Sequence, residues 1–251
     1  MSPTRDELRK ILDDLLNPTA FNDVAENGMQ VEGRAEVGPI VCGVSSSLAL
    51  IDAAIAKGAG AIVVHHGLVW GGGIRRLDGW LGERVRRLMG NGVSLFAYHL
   101  PLDAHPDVGN NAGLARALGI HETQPFGKYK GQLIGLRGTL TPPLPVASLA
   151  SIVESRVGKP LAFFPGARPV RTIGVCTGGA PELLHDAIAE GLDAYITGEV
   201  TEWVKAVAEE SGTTFVAAGH HATERFGPRQ LAEKLRSLGM DATFVDVENP
   251  A

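Results

Sequence analysis

Short apolar runs alternate with helical segments along most of this chain, and this order restricts the fold more than any other feature of the sequence. The apolar runs predict buried strands at 37–45, 61–66, 93–99, 133–140, 161–164, 172–176, 194–197, 214–218 and 242–247. Periodic apolar residues predict helices at 3–17, 48–57, 81–89, 111–118, 146–157, 182–190, 202–210 and 228–238. Residues 120–129 are predicted to be a connector. Such alternation is typical of an α/β fold with largely parallel sheets.

Two stretches of the sequence resemble each other, which indicates an internal duplication. Aligning Gly58 with Gly191 places His66 opposite Glu199. The duplication predicts two similar lobes, each a mixed, mostly parallel sheet flanked by helices. The predicted lobes comprise residues 1–125 and 126–251. Convergence is the alternative, since unrelated helix–turn–strand units often share a glycine.

Six of the eight histidines fall into three short clusters, and acidic residues accompany two of these clusters. Each cluster begins at the carboxyl end of a predicted strand, the edge at which ligands bind in open α/β sheets. Imidazole and carboxylate groups together are ligands of borderline transition-metal ions. We therefore predict one shared metal site at these strand ends. The clusters contain His65 and His66; His99, Asp103 and His105; and His220, His221 and Glu224.

Five of these side chains are the predicted metal ligands. They are His65, His66, Asp103, His220 and Glu224. Five ligands exceed the three that hold a mononuclear catalytic zinc ion, and carboxylates can bridge two ions. We therefore expect two divalent ions (zinc, iron, manganese, cobalt or nickel) with a metal-bridging hydroxide as the nucleophile. Each cluster by itself also has a structural interpretation, as a polar strand end, a turn or a helix pair.

The other histidines of the clusters have predicted roles in proton transfer. His99 and His221 are the predicted catalytic residues, and His105 either shares this role or supports a ligand. An ordinary polar histidine is the alternative for each. Glu199 either supports a ligand or is a turn residue.

Three further stretches have more than one interpretation. The triple glycine at 71–73, which follows Trp70, forms either a mobile lip over the site or a simple loop. The glycine pair at 178–179 follows a predicted strand and could seat a phosphate at the next helix. Asn110 and Asn111 are predicted to cap the helix at 111–118, and a substrate contact is the alternative.

Composition argues against several other classes of protein. The net charge of −5 offers no basic surface for the phosphate backbone of nucleic acid. Cys42 and Cys176 lie far apart and outside the clusters, as expected in a reducing compartment. The sequence has neither a signal-like apolar region nor an uncharged apolar run of about 18 residues. We expect a soluble, cytoplasmic protein that acts on a small molecule and does not bind membranes.

The chain resembles the Nif-three-like dinuclear-metal family, whose members are often labelled GTP cyclohydrolase 1 type 2 homologues. The resemblance covers essentially the whole chain. It rests on V-V-H-H-G-L-V-W at 63–70, Y-H-L-P-L-D-A-H at 98–105, G-N-N at 109–111, T-G-E at 197–199 and G-H-H-A-T-E-R at 219–225. The length is similar to that of the short bacterial members, which lack an inserted domain.

The resemblance implies two α/β lobes with a dinuclear metal site in the cleft between them. It also implies that the five ligands named above hold this site, and that the protein assembles into a ring-shaped homohexamer. It also implies a metal-dependent hydrolase, with ring opening of GTP by hydroxide attack on C8 of guanine as the specific activity. A triphosphate requires basic residues, for which Arg225 and Arg229 are close enough in sequence, although a solvated helix face also explains both. A non-enzymatic metal carrier or a hexameric regulatory scaffold is the alternative function.

Overall fold

The computed structural model describes residues 2–251, which form two compact units. The first unit contains the chain up to Leu102 together with Gly227–Glu248. The second unit contains Asp103–Phe226 together with Asn249–Ala251. The first boundary therefore lies earlier in the chain than the predicted one between 125 and 126. In addition, a segment close to the C-terminus belongs to the first unit.

Helices and strands follow one another in the alternating order that the sequence predicts. The α-helices of the described residues are α1 (Arg5–Leu16), α2 (Leu48–Ala56), α3 (Gly79–Gly90), α4 (Leu100–Ala104), α5 (Asn110–Ala117), α6 (Val146–Arg156), α7 (Leu184–Ala189), α8 (Val204–Ser211), α9 (His220–Glu224) and α10 (Phe226–Ser237). The strands are β1 (Gly28–Val31), β2 (Ile40–Ser45), β3 (Ala61–His66), β4 (Ser94–Ala97), β5 (His121–Tyr129), β6 (Gln132–Leu144), β7 (Ala162–Phe164), β8 (Val170–Val175), β9 (Ala194–Thr197), β10 (Thr214–Ala217) and β11 (Ala242–Phe244). Among residues 2–251, no helix combines the length and the apolar character needed to cross a lipid bilayer.

The sheet of the first unit has the strand order β1-β4-β3-β2-β11. Strands β4, β3, β2 and β11 pair in parallel with their neighbours in this order. Strand β1 lies at the edge and pairs antiparallel with β4. Nearly every residue of β2, β3 and β4 is buried, as is typical of parallel strands that are covered on both faces. This sheet is mixed and mostly parallel, in agreement with the sequence prediction.

Helix α1 secures the end of β4 in the first unit. Its buried face carries Leu8, Leu12 and Leu16, which recur at helical spacing. From the same helix, the Asp13 carboxylate accepts a hydrogen bond of 2.7 Å from the hydroxyl of Tyr98, the residue that follows β4. The chain that leaves β4 is therefore fixed by a helix far away in sequence.

The sheet of the second unit has the strand order β5-β6-β8-β9-β10-β7. The pairs β8–β9 and β9–β10 are parallel, whereas β5–β6, β6–β8 and β10–β7 are antiparallel. Each unit thus has a mixed α/β structure, as predicted. The description "mostly parallel" applies to the first sheet only, because antiparallel pairs outnumber parallel pairs in the second.

The additional antiparallel pairing comes from a long hairpin formed by β5 and β6. The sequence analysis predicts a connector at 120–129, but the structure has a strand there. The first five residues of β5 are exposed, so they lack the apolar side chains by which a buried strand is recognised. Lys130 and Gly131 join the two strands with φ angles of +46° and +86°. Positive φ at both central residues suits the twist of a two-residue hairpin turn. Backbone hydrogen bonds between β5 and β6 define this hairpin, and the pattern of side chains in the sequence gives no sign of them.

Parallel register brings the strand ends of each unit to one edge of its sheet. In the first unit, Ser45 at the end of β2 pairs with His66 at the end of β3. In the second unit, Ala217 at the end of β10 pairs with Thr197 at the end of β9. Because these strands run in the same direction, the residues that follow them gather at a common edge.

At the amino ends of β8 and β9, Asp193 ties the two strands together. Its Oδ2 accepts hydrogen bonds from the backbone nitrogens of Arg171 and Thr172 and from the hydroxyl of Thr172, at 3.1, 3.0 and 3.0 Å. Burial opposes ionisation of the carboxyl group. The hydrogen bonds from Thr172 and Arg171, together with the charge of Arg168, outweigh burial and lower the pKa of Asp193. The ionised carboxylate therefore stabilises the second sheet.

We expect Asp193→Ala to lower the free energy of unfolding by about 1–3 kcal/mol at pH 7, because three donors lose a charged acceptor. A pKa that is lower in the folded state stabilises the fold above the unfolded value of about 3.9. This stabilisation is lost as the pH falls through the folded value. Urea unfolding of the wild type, Asp193→Ala and the exposed control Asp241→Ala, at pH 7 and at about pH 3, measures the effect. An equal loss at both pH values would contradict the role of the charge.

Candidate functional site

Three histidines of the first unit lie together at the ends of β3 and β4. His65 and His66 are the last residues of β3, and His99 comes shortly after β4. A ring nitrogen of each lies within 4.8 Å of one from each of the others. The ring centroids are 4.5 Å apart for His65 and His66 and 5.0 Å apart for His65 and His99. The structure thus brings two predicted ligands together with one predicted catalytic residue.

Gly67 permits the close packing that fixes the chain after β3. A Cβ atom at this position would overlap with the side-chain oxygen of Gln30. That oxygen accepts hydrogen bonds from the backbone nitrogens of Leu68 and Val69, at 2.6 and 3.1 Å. Any larger residue at position 67 would displace Gln30 and release the segment that follows the two histidines.

Hydrogen bonds at Nδ1 orient the two rings of β3. Nδ1 of His65 lies 3.1 Å from the carbonyl oxygen of Tyr98. Because a carbonyl oxygen only accepts hydrogen bonds, the proton of this ring is on Nδ1 and the lone pair is on Nε2. Nδ1 of His66 lies 3.1 Å from Oγ of Ser45. In both rings, Nε2 is therefore the nitrogen that can bind a cation.

Asp23 is a functional candidate that the sequence analysis missed. Its Oδ1 lies 2.8 Å from Nδ1 of His99, and its Oδ2 accepts hydrogen bonds from Asn27 and from the backbone of Leu100. Burial raises the pKa of this carboxyl group, but the hydrogen bonds from His99 and Asn27 outweigh it and hold the pKa well below its usual range. An ionised carboxylate therefore orients His99. No local pattern reveals this role, since Asp23 lies 76 residues before His99.

The indole ring of Trp70 borders the same histidine group. Its ring centroid lies 5.8 Å from that of His66 and 5.1 Å, edge-on, from that of His99. Its Nε1 donates a hydrogen bond of 3.1 Å to the carbonyl oxygen of Gly67, and its backbone forms an isolated bridge with Ala25. Trp70 is therefore a fixed aromatic surface beside the imidazoles.

In the second unit, Asp103 is buried in α4 and held by amide and hydroxyl groups. Asn110 Nδ2 and Thr177 Oγ1 donate to its Oδ1 at 2.9 and 3.1 Å. Asn111 donates to the backbone oxygen of Asp103 and accepts from the backbone nitrogen of Thr177. The two asparagines lie in the first turn of α5 instead of capping it, and their side chains hold Asp103. Two neutral donors, an amide and a hydroxyl group, therefore fix the position of this carboxyl group.

His220 and Glu224 lie four residues apart in α9, a spacing that places both on one face of the helix. Nε2 of His220 lies 3.2 Å from Oε2 of Glu224. A carboxylate oxygen of Glu224 also lies within 4.8 Å of one of Asp103. Asp103 is 6% exposed and Glu224 is 2% exposed. Two buried carboxylates at this distance repel each other, so the arrangement favours a cation.

Glu199 contacts the second ring nitrogen of His220, with 2.6 Å between its Oε1 and Nδ1. Burial lowers the pKa of His220, but the bonds and charges of Glu224 and Glu199 outweigh burial and raise this pKa to about 9. The ring therefore carries a proton that a divalent cation would have to displace. The internal alignment of the sequence, which placed Glu199 opposite His66, is the signal that identified this residue.

Glycines make room for the carboxylates of the second unit. A Cβ atom at Gly178 would overlap with Oε1 of Glu224, and one at Gly179 would lie 2.8 Å from Oε2 of Glu199. Gly178 also has a φ angle of +71°, a conformation that favours glycine. The sequence suggested a phosphate seat for this pair. The structure shows instead that two acidic side chains fill the space above it.

His105 and His221 have different surroundings from the other histidines of the clusters. Nδ1 of His105 accepts hydrogen bonds from the backbone nitrogens of Asp107 and Val108, at 3.0 and 3.1 Å, and so stabilises the turn before α5. His221 is 8% exposed, and its backbone nitrogen donates to the carbonyl oxygen of Ala251. Within residues 2–251, neither belongs to a group of three or more close metal-ligating atoms.

The donor atoms of both units suit a divalent transition-metal ion. They are imidazole nitrogens in the first unit, and carboxylate oxygens with one imidazole in the second. Cys42 and Cys176 are free, buried thiols, and burial raises the pKa of each. A set of nitrogen and oxygen donors without thiolates fits a catalytic metal better than a closed, cysteine-rich structural zinc site.

Comparison with known proteins confirms the resemblance that the motifs indicate. The family described as Duf34/NIF3 (NGG1p interacting factor 3) matches residues 3–250. An Escherichia coli K12 protein described as "GTP cyclohydrolase 1 type 2 homolog" is 44% identical over 251 residues, which is 98% of each chain. Two solved structures, protein ybgI of unknown function and a protein of Thermus thermophilus, match 99% of this chain and 100% of their own. Their TM-scores are 0.92 and 0.89, at 44% and 33% identity. The chain belongs to the Duf34/NIF3 family.

Proposed function

We propose that this protein binds two divalent transition-metal ions and uses them to hydrolyse a small molecule. The proposed ligands are His65, His66, Asp103, His220 and Glu224. The observation that supports the proposal is the close, buried pair of carboxylates in the second unit, because a bound cation would offset their charge. Zinc, iron, manganese, cobalt and nickel all suit such a mixed set of donors.

Side chains behind the proposed ligands fix the donor atoms before metal binds. When bound, two such ions lower the pKa of water and supply a nucleophile at neutral pH. Asn110 and Thr177 hold Asp103, and Glu199 holds His220. Partners of this kind orient the ligands and raise their basicity, which increases metal affinity.

His99 is the proposed proton-transfer residue. The carboxylate of Asp23 lies 2.8 Å from its Nδ1 and orients the ring, which leaves Nε2 as the nitrogen that exchanges a proton with the substrate. His221 adjoins His220 in α9 and is the second proposed catalytic residue. Separate variants at the two positions distinguish their contributions.

A purine nucleotide is the proposed substrate class. The E. coli relative carries the name GTP cyclohydrolase 1 type 2 homolog, and hydrolytic attack on C8 of guanine would open the imidazole ring of that base. From the same resemblance, we propose that the protein acts in the cytoplasm as a ring-shaped homohexamer. The alternative function is metal transfer without turnover.

Neutralising either carboxylate should lower metal content. Wild-type protein loaded with Zn²⁺ or Mn²⁺ should retain two ions per chain after gel filtration, and Asp103→Asn or Glu224→Gln should retain fewer, because an amide no longer offsets the charge of the cations. Elemental analysis measures the content. Asp107→Asn and Glu202→Gln remove exposed carboxylates and serve as matched controls. Full metal content in Asp103→Asn would remove Asp103 from the ligand set.

Glu199→Gln should weaken metal binding by about 10–100-fold, because the amide keeps the shape of the side chain but loses the charge that supports His220. Titration against a chromophoric chelator gives the affinity, with Glu202→Gln as the control. If Glu199→Gln bound metal with the affinity of the wild type, Glu199 would be an ordinary turn residue that does not support a metal ligand.

Removal of metal should abolish hydrolysis, and reloading should restore it. A panel of nucleotides and phosphoesters, with detection of formate and phosphate, identifies the reaction. His99→Gln should lower kcat by about 10²–10⁴-fold at unchanged metal content. The exposed His185→Gln serves as the control. Turnover that survives verified metal removal would refute the hydrolase proposal. Metal passed to an acceptor without any turnover would favour the carrier.

A further inference from the structure

An exposed loop follows Trp70 in the first unit. This segment, here called the arginine loop, comprises residues 71–78, contains no helix or strand, and is exposed at every position. Gly72 and Gly73 have φ angles of +85° and +72°, and a Cβ atom at either would meet nothing within 4 Å. Glycine at such angles has a wide conformational range at low energetic cost. The loop is therefore free to change its path close to its start.

The start of the arginine loop is anchored beside the histidine group. The Trp70 ring contacts the rings of His66 and His99, and the backbone oxygen of Trp70 accepts a hydrogen bond of 2.8 Å from Gly73. At its other end the loop leads directly into α3, which begins at Gly79. A flexible segment thus begins at an aromatic side chain that borders two imidazoles.

Two adjacent arginines make this loop basic. Within residues 2–251, neither Arg75 nor Arg76 forms an ion pair, whereas Arg87 on the following helix pairs with Glu83. The loop contains one acidic residue, Asp78. In a chain with a net charge of −5, Arg75 and Arg76 are a local excess of positive charge.

The two arginines that the sequence suggested for a triphosphate have other contacts. Nη2 of Arg225 donates a hydrogen bond of 2.7 Å to the backbone oxygen of Val157. The guanidinium group of Arg229 lies over the ring of Phe244, 5.3 Å from its centroid. Both guanidinium groups therefore have contacts within the fold.

We propose that the arginine loop binds the phosphate groups of the substrate and that Trp70 packs against the substrate's planar ring. This inference rests on the proposed hydrolysis of a purine nucleotide and names its positioning residues. Guanidinium groups bind phosphate through paired hydrogen bonds, and purine bases stack on aromatic side chains. Ile74 and Leu77, which are 37% and 59% exposed, would be removed from water when the loop folds over a ligand.

Equilibrium binding to the metal-loaded protein tests this inference without turnover. The probes are GTP, guanosine and inorganic tripolyphosphate, and metal content is verified after each titration. Arg75→Ala/Arg76→Ala should weaken binding of GTP and tripolyphosphate by about 10²-fold, since two charge-assisted contacts are lost, and should leave guanosine binding unchanged. Arg156→Ala/Arg171→Ala removes the same charge from exposed positions and should bind all three probes like the wild type.

Further variants separate ring recognition from phosphate recognition. Trp70→Leu should weaken binding of guanosine and GTP but not of tripolyphosphate, and Trp70→Phe should retain most of the affinity because it keeps an aromatic face. Arg75→Lys/Arg76→Lys keeps the charge without the paired geometry and should recover part of the GTP affinity. If the alanine variant folds poorly, GTP binding by the lysine variant still tests the role of the two arginines.

The outcomes separate this inference from the proposed hydrolase function. Equal dissociation constants for GTP in the wild type and in Arg75→Ala/Arg76→Ala would overturn the role of the loop, whatever the turnover. A wild type that does not bind GTP would overturn it as well. Arginine-dependent binding without hydrolysis would support the loop and contradict only the hydrolase.

Discussion

Parallel pairing of β2, β3 and β4 is the constraint on which the histidine group of the first unit depends. It sets Ser45 beside His66 and brings the end of β4, two residues before His99, to the same edge. Neighbouring residues on a straight strand point to opposite faces, yet the rings of His65 and His66 are only 4.5 Å apart, because the strand ends there. A register slip of one residue would move these rings away from Ser45 and His99 on the neighbouring chain segments, since it exchanges the faces of the strand.

Compensation of buried charge shapes the rest of the candidate site. A carboxylate removed from water costs several kcal/mol unless hydrogen bonds or an opposite charge replace its hydration. Asp23 accepts hydrogen bonds from backbone and amide donors together with an imidazole, whereas an amide and a hydroxyl group donate to Oδ1 of Asp103. The first carboxylate is thereby matched to His99, and the second is held by neutral groups in a position where a cation could contact it. The two carboxyl groups are chemically identical, and the residues around each of them determine its role.

Sequence patterns reveal what is local, and this limit explains which features could be predicted. The strand at 61–66 has the bounds that the structure gives, because an apolar run ends there in two polar residues. The exposed strand β5 carries no such pattern, and only backbone hydrogen bonds define it. Glu199 could be identified because an internal alignment matched it to His66. Asp23 and Thr177 could not, since their partners lie 76 and 74 residues away in sequence.

The path of the chain has a consequence for how the molecule can be divided. It passes from one unit to the other after Leu102, Phe226 and Glu248, and β11, near the C-terminus, completes the sheet beside β2. A fragment ending at Phe226 would lack β11, so β2 would become an edge strand. Its unpaired amide and carbonyl groups could then form hydrogen bonds with other chains. No single cut of the chain therefore yields two fragments that each contain one complete unit. A gene fusion made at any one of these points would likewise divide a folded unit.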